Sequence, residues 1–260
     1  MAANGKAKEG EYKKVKTILV SQPKPERSPY YELEKKYELQ IDWRPFIHVE
    51  GVSAKDFRKF RIKPDEYSAV ILTSKNAVDH FFRMCEEMRI KMSQDTKYFC
   101  LTEAISNYLQ KFIVYRKRKV FTGRRTILDL APALKKHKAN EKFLLPCSNL
   151  GAQAVSTFLD ENNFNWQDAM MYQTVSSDLS DLSDVIYDVL VFFSPLGIQS
   201  LYENFPDFKQ NDTRIAVFGN STSKAVTDHG LTINIKAPAP EIPSMTMALE
   251  KYLQQSNKDA

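Results

Sequence analysis

Asp188-Val-Leu-Val-Phe-Phe-Ser194-Pro-Leu-Gly-Ile-Gln-Ser200 is the stretch on which the fold turns. A run of β-branched and aromatic residues, uncharged after Asp188, ends on a serine, and helical spacing begins at once. Such a run reads as a strand buried on both faces, as in a parallel sheet. Pro195 suits a first helical turn, where its missing N–H costs nothing. Ile198, Leu201, Tyr202 and Phe205 then recur at helical spacing. Ser194 therefore marks a strand-to-helix junction.

The same unit occurs earlier, as Ser68-Ala-Val-Ile-Leu-Thr73-Ser74-Lys-Asn-Ala77-Val78-Asp79. Val70, Ile71 and Leu72 form the strand, Thr73 and Ser74 the junction, and Val78, Phe81, Phe82 and Cys85 a helical face. Its use twice in one chain points to two related α/β halves.

Strand patterns are expected over 16–20, 39–43, 97–101, 142–145, 169–175, 213–218 and 232–235, with helical patterns between most of them. Examples are 102–110, 127–137, 152–159 and a last helix capped by Ser244. Alternation of this kind predicts an α/β fold of doubly wound parallel sheets, which bind ligands outside the carboxyl ends of their strands. Pro45 restricts Arg44 and resists a central strand position, so the chain is expected to cross from one half to the other there. Residues 169–175 can bring it back, and 177–183 reads as a polar linker. The first 14 residues, polar and rich in Lys and Glu, are expected to be a disordered tail.

Composition narrows the chemistry. The 260 residues are enough for two domains. No GxGxxG or GxxxxGK[ST] string occurs, which argues against a dinucleotide site or a P-loop. Cys85, Cys100 and Cys147 lack CxxC spacing and read as reduced thiols of a cytoplasmic protein. The four histidines show no ligand spacing. No apolar run approaches the roughly 18–20 residues of a membrane span. The net charge of +5 suits an anionic small ligand as readily as nucleic acid, and a solvated surface more readily than either.

The strand-to-helix junctions carry most of the polar chemistry: Thr73 with Ser74, Thr102, Ser148 with Asn149, Ser194, and the run Gly219-Asn220-Ser221-Thr222. Each can be a plain N-cap, worth about 1 kcal/mol. Each can also offer hydroxyls and free N–H groups to an anion. Ser194 is not a hydrolase nucleophile, because Phe-Ser194-Pro-Leu-Gly197 is not GxSxG and Pro195 removes an N–H that an oxyanion hole needs. The basic cluster at 116–125 has Tyr115 and Phe121 interleaved but no recognition motif, and reads first as a solvated edge. Asp178, Asp181 and Asp184 lack an EF-hand frame. Tyr172 falls in the returning strand, where an aromatic packs.

Six strings in order carry a resemblance: Leu72-Thr-Ser74-Lys-Asn-Ala77-Val78, Leu145-Pro-Cys147-Ser-Asn149-Leu150, Tyr172-Gln-Thr174-Val175, Phe192-Phe-Ser194-Pro-Leu-Gly197, Phe218-Gly-Asn-Ser-Thr222 and Ala237-Pro-Ala-Pro-Glu241. Together they resemble the uroporphyrinogen-III synthase family. The resemblance implies two α/β domains joined by a two-stranded ladder, with the active-site cleft between them. It places one domain over residues 15–46 with 173–256, and an inserted one over 47–172. It implies a lyase that closes the linear tetrapyrrole hydroxymethylbilane with inversion of the last ring, using no metal and no organic cofactor, and nothing in the sequence demands more than a monomer. On the same resemblance Tyr172 is the catalytic candidate. Ser74, Ser194, Ser221 and Thr222 match cleft positions that would hold the substrate's carboxylates, with Arg214 near the same edge, and the junction residues Thr73, Thr102, Ser148, Asn149 and Asn220 join them as binding candidates. Gln22 stands where many members carry arginine, and Glu103 adds a negative charge at a junction. These two keep open a protein that binds the tetrapyrrole without turning it over, and a nucleic-acid binder is the third alternative.

Overall fold

The computed structural model describes residues 12–257. Residues 1–11 of the expected tail lie outside them. At 13–15 the chain is already tied down: Lys13 pairs with Asp212, and the Val15 N–H donates to Asn257 Oδ1 at 3.0 Å.

In chain order the elements are β1 (Thr17–Val20), α1 (Tyr30–Lys36), β2 (Gln40–Trp43), β3 (Ile47–Gly51), α2 (Ala54–Phe57), β4 (Ala69–Leu72), α3 (Lys75–Glu87), β5 (Lys97–Cys100), α4 (Glu103–Leu109), β6 (Val120–Thr122), α5 (Ile127–His137), β7 (Phe143–Ser148), α6 (Gln153–Glu161), β8 (Trp166–Ser176), β9 (Val189–Phe192), α7 (Pro195–Asn204), β10 (Arg214–Phe218), α8 (Asn220–Asp228), β11 (Ile233–Ala237) and α9 (Met245–Ser256). The described chain divides into two compact units, one comprising 12–48 and 176–257, the other 49–175. Each has its own sheet and core.

The first unit holds a five-stranded sheet in the order β11-β10-β9-β1-β2, and its pairings are parallel. Period-two alternation sends β-strand side chains to opposite faces. Ile18, Val20, Val189 and Val191 pack with α1 and α9 on one face. Leu19, Leu190, Phe192, Ile215 and Val217 pack with α7 and α8 on the other. A strand covered on both faces must be apolar throughout, which is why the run 189–193 carries no charge. Each such side chain contributes about 1.5–3 kcal/mol on burial.

The second unit holds a six-stranded sheet in the order β3-β8-β7-β4-β5-β6. The pairings β8/β7, β7/β4, β4/β5 and β5/β6 are parallel. Val70, Leu72, Tyr98 and Leu144 face α3 and α4, while Ala69, Ile71, Phe99 and Phe143 face α5 and α6. Both sheets are thus doubly wound. Two strands, β3 and β8, run across the division of the chain and are neighbours in the sheet. The sequence reading put the crossings after 46 and 172; the division falls after 48 and 175, because β8 continues unbroken to Ser176.

In each sheet the strand order reverses once. In the first unit the chain winds from β1 to β2 on one side, then from β9 to β10 and β11 on the other, so the reversal lies between β1 and β9. In the second it winds from β4 to β5 and β6, then from β7 to β8, and the reversal lies between β4 and β7. Ser194 follows β9 and Ser74 follows β4. Both serines therefore stand at the carboxyl-end crevice where parallel α/β sheets receive ligands.

The segment 177–183 is not a free linker. Leu179 is fully buried, its N–H donates to Asn204 Oδ1 at 2.9 Å, and Arg44 bonds Asp181 Oδ1 at 2.8 Å. Leu179, with Leu182 packed partly against the same core, pins the segment to the first unit.

Candidate functional site

Three of the junction hydroxyls are N-caps. Ser74 Oγ accepts from the Ala77 N–H at 3.0 Å, Ser194 Oγ from Gly197 at 3.3 Å, and Thr102 Oγ1 from Ile105 at 3.4 Å. Ser148 ends β7 and accepts from the Leu150 N–H at 3.2 Å. Capping uses only a hydroxyl's acceptor capacity. The O–H protons of Ser194 and Thr102 stay available, and the first N–H groups of α3 and α4 remain open. The structural and ligand-binding roles of these residues are compatible. Thr73 is half-buried between β4 and its cap.

The turn into α8 works differently. Gly219 caps it with φ of +87°, a conformation that side chains resist. Its N–H donates to the Ala237 carbonyl at 2.7 Å, and its own carbonyl accepts from the Ser223 N–H and hydroxyl. Asn220 and Ser221 are exposed in the first turn.

Tyr172 lies on β8 beside Ser148 in the parallel register, after a one-residue shift between Cys147 and Ser148. It is 8 % exposed. Its hydroxyl stands 3.4 Å from Ser74 Oγ, and its ring stacks on that of His80 at 4.9 Å with the planes 16° apart. Burial raises the phenol's pKa, only partly countered by the bond to Ser74, so Tyr172 is a proton donor at neutral pH. Burial, then the Arg83 guanidinium, lowers the pKa of His80. The three thiols are buried, and Cys147 is pushed up to about 11. They are not nucleophiles. Among the described residues no cluster of His, Cys, Asp and Glu could hold a metal ion, and no helix is long and apolar enough to cross a membrane.

Three expected ligand residues are placed elsewhere. Arg214 begins β10 and is level with Val189 at the start of β9. In a parallel pair that is the amino end, about 16 Å along the strand from Ser194 at ~3.3 Å per residue. Arg214 is buried, donating to the carbonyls of Asp212 at 2.6 Å and Lys14 at 3.1 Å, with Asp188 at 3.7 Å. It cannot share an edge with Ser194. The Thr222 side chain is fully buried, and its hydroxyl has no hydrogen-bond partner. It turns into the core because the third residue of α8 faces the sheet. The Asn149 carboxamide accepts from the Thr174 N–H at 2.9 Å and donates to its carbonyl at 3.2 Å. A two-point bond to backbone makes it a latch between the end of β7 and β8.

Sequence reasoning passed over His80 and Arg83. The i, i+3 spacing of 80 and 83 puts them on one face of α3. No local signal announces that this face meets β8.

Against known proteins, the model of the family described as Uroporphyrinogen-III synthase HemD matches residues 31–247, well over half of the chain. A curated relative, the uroporphyrinogen-III synthase of Chlorobaculum parvum, is 23% identical over 256 residues, covering 92% of this chain and 100% of the relative. Two solved structures share the fold. Uroporphyrinogen-III synthetase from Helicobacter pylori 26695 gives a TM-score of 0.57 at 16% identity, covering 92% of this chain and 99% of that one. A mutant uroporphyrinogen III synthase from the extremely thermophilic bacterium Thermus thermophilus gives 0.52 at 13% identity, with the same coverage of each chain. The chain belongs to the uroporphyrinogen-III synthase family.

Proposed function

We propose that this protein is a lyase that converts hydroxymethylbilane to uroporphyrinogen III, with loss of water and inversion of the last pyrrole ring. Within the family established above, the observation that carries the reading is the protonated Tyr172 hydroxyl beside the Ser74 cap.

The substrate is a flexible polycarboxylate that can close on its own without inversion. Catalysis therefore consists mainly of holding one folded conformation and excluding direct closure. Junction hydroxyls at Ser74, Thr102, Ser148 and Ser194, with Ser221 and Asn220, suit carboxylates. They supply neutral donors, so binding does not require a matching array of buried cations.

Departure of the hydroxymethyl oxygen as water needs a proton or a strong hydrogen bond. The raised phenol supplies one and cannot act as the base. The resulting azafulvene is attacked by the substituted carbon of the last ring. The spiro intermediate then rearranges and the macrocycle closes.

Enzymatically generated hydroxymethylbilane, incubated with the protein and separated by isomer, tests this directly. Isomer III is expected. Isomer I alone, at the uncatalysed rate, overturns the proposal; tight tetrapyrrole binding in that case identifies a binder that has lost the chemistry.

A further inference from the structure

One side chain of α3 gathers the surroundings of Tyr172 into a single assembly. Arg83 Nε donates to His80 Nδ1 at 3.2 Å, Nη1 bonds Glu87 at 2.5 Å, and Nη2 donates to the carbonyls of Val52 at 2.9 Å and Met171 at 3.0 Å. The Met171 carbonyl also accepts from the Val52 N–H at 3.0 Å. The guanidinium thus holds the backbone one residue before Tyr172 and, with its remaining arm, the ring that stacks on Tyr172. Five donors in a rigid plane make arginine suited to such a multiple hold.

Accepting from Arg83 at Nδ1 leaves the His80 proton on Nε2. The ring is neutral, since burial and the neighbouring cation both oppose its protonation. A neutral imidazole whose plane lies 16° from parallel to the phenol makes a π-stacked plate. With the plate in place, the Tyr172 ring has one face closed, and its hydroxyl is kept toward Ser74.

Gly51 makes room for this arrangement. A Cβ built there would lie 2.7 Å from Arg83 Cζ and Nη2. Any side chain at 51 must move the guanidinium.

From these contacts we infer that His80 is a positioning residue for the cyclisation: braced by Arg83 over Gly51, it fixes the Tyr172 ring so that the hydroxyl meets the departing oxygen. The inference rests on the proposed cyclisation and adds to it. His80 touches neither substrate nor reacting atoms, and its contribution is the orientation of a donor that must be placed to within a fraction of an ångström.

The test compares the full-length protein with His80→Ala, His80→Phe and Gly51→Ala, reading kcat, KM, isomer ratio and thermal midpoint. Loss of the plate in H80A is expected to lower kcat on the order of 10-fold with KM within about 3-fold. H80F restores a stacked ring and is expected to recover most of kcat. G51A shifts Arg83 while leaving both rings intact, and should lower kcat in the same direction. An active unmodified protein with H80A at full kcat overturns the inference. Equal loss in H80A and H80F overturns it too, because proton chemistry rather than stacking would then be at work. A change in KM alone identifies a substrate contact and also overturns it. Should H80A fail to fold, G51A at full kcat, or H80F at greatly reduced kcat, decides against it. An inactive unmodified protein instead defeats the cyclisation proposal itself.

Discussion

The imidazole of His80 lies 4.9 Å from the phenol of Tyr172, ring centre to ring centre, with the planes 16° apart. The two residues are far apart in sequence, on α3 and β8, and they meet beside the Ser74 cap. Tyr172→Phe keeps that stack and removes only the hydroxyl. It is expected to lower kcat by about 10²-fold, the scale of a general acid, while the thermal midpoint stays within a few degrees. A parallel fall in activity and stability would remove the proposed role.

Ser194 separates capping from ligand binding through the choice of substitution. Ser194→Ala should cost about 1 kcal/mol of stability, because Gly197 loses its acceptor. Ser194→Gly retains the cap to within a few tenths of a kcal/mol but deletes the O–H. If the hydroxyl holds a carboxylate, KM rises about 3–10-fold in both variants. Unchanged KM in Ser194→Gly assigns Ser194 to structure alone.

Thr222→Val removes a buried hydroxyl that bonds to nothing. Such a group costs about 1–3 kcal/mol while it remains. The variant should be as stable as the parent or more so by roughly 1 kcal/mol, with unchanged KM. Urea unfolding and steady-state kinetics check both halves, and a rise in KM would show that the side chain reaches substrate after all.

Arg214→Met should act on folding rather than on binding. It deletes charge-assisted bonds to two carbonyls at the amino edge of the sheet, a loss of about 2 kcal/mol. Denaturation midpoints should fall while KM, measured below the transition, stays constant. A selective KM effect would place the arginine in the binding surface.

His80 links stability to pH. Burial and Arg83 hold its imidazole below the ordinary value, against the smaller opposing pull of Asp79 and Glu87. The unfolded chain therefore binds more protons in the window just below the ordinary histidine pKa. Stability contributed by neutral His80 is present above that value and is lost as pH falls through the lowered one. The urea midpoint should drop between about pH 7 and pH 5, and His80→Phe should remove part of the slope. An identical slope in the two proteins counts against a half-buried neutral imidazole.

The alternation of strand and helix was legible because each element is specified locally. The apolar run 189–193 has to be covered on both faces, and a serine before a helical pattern caps it within three residues. Ser74, Thr102, Ser194 and Ser244 all cap the helices expected of them, at short range. At α1 the cap position is Pro29, and the Ser28 hydroxyl one residue earlier accepts from the Tyr30 N–H at 3.3 Å. The Asp and Ser of 177–183 conceal its attachment, because the buried Leu179 and the partly buried Leu182 both pack on the core of the first unit.

The site was legible only in part, for the same physical reason. Sequence by itself determined which residues stand at strand ends, which hydroxyls cap helices, and that Tyr172 lies on an extended segment. Only the tertiary structure decided which edge each strand end faces. Parallel pairing carries Arg214 to the edge opposite Ser194, core packing turns Thr222 inward, and the reversals of strand order put Ser74 and Ser194 at corresponding crevices. It also brought α3 against β8, so that His80 stacks on Tyr172 while Arg83, over Gly51, holds both His80 and the Met171 carbonyl. Hydrogen bonds within one turn follow from neighbouring residues. Contacts across a sheet follow from strand order and direction, which no local pattern of residues contains.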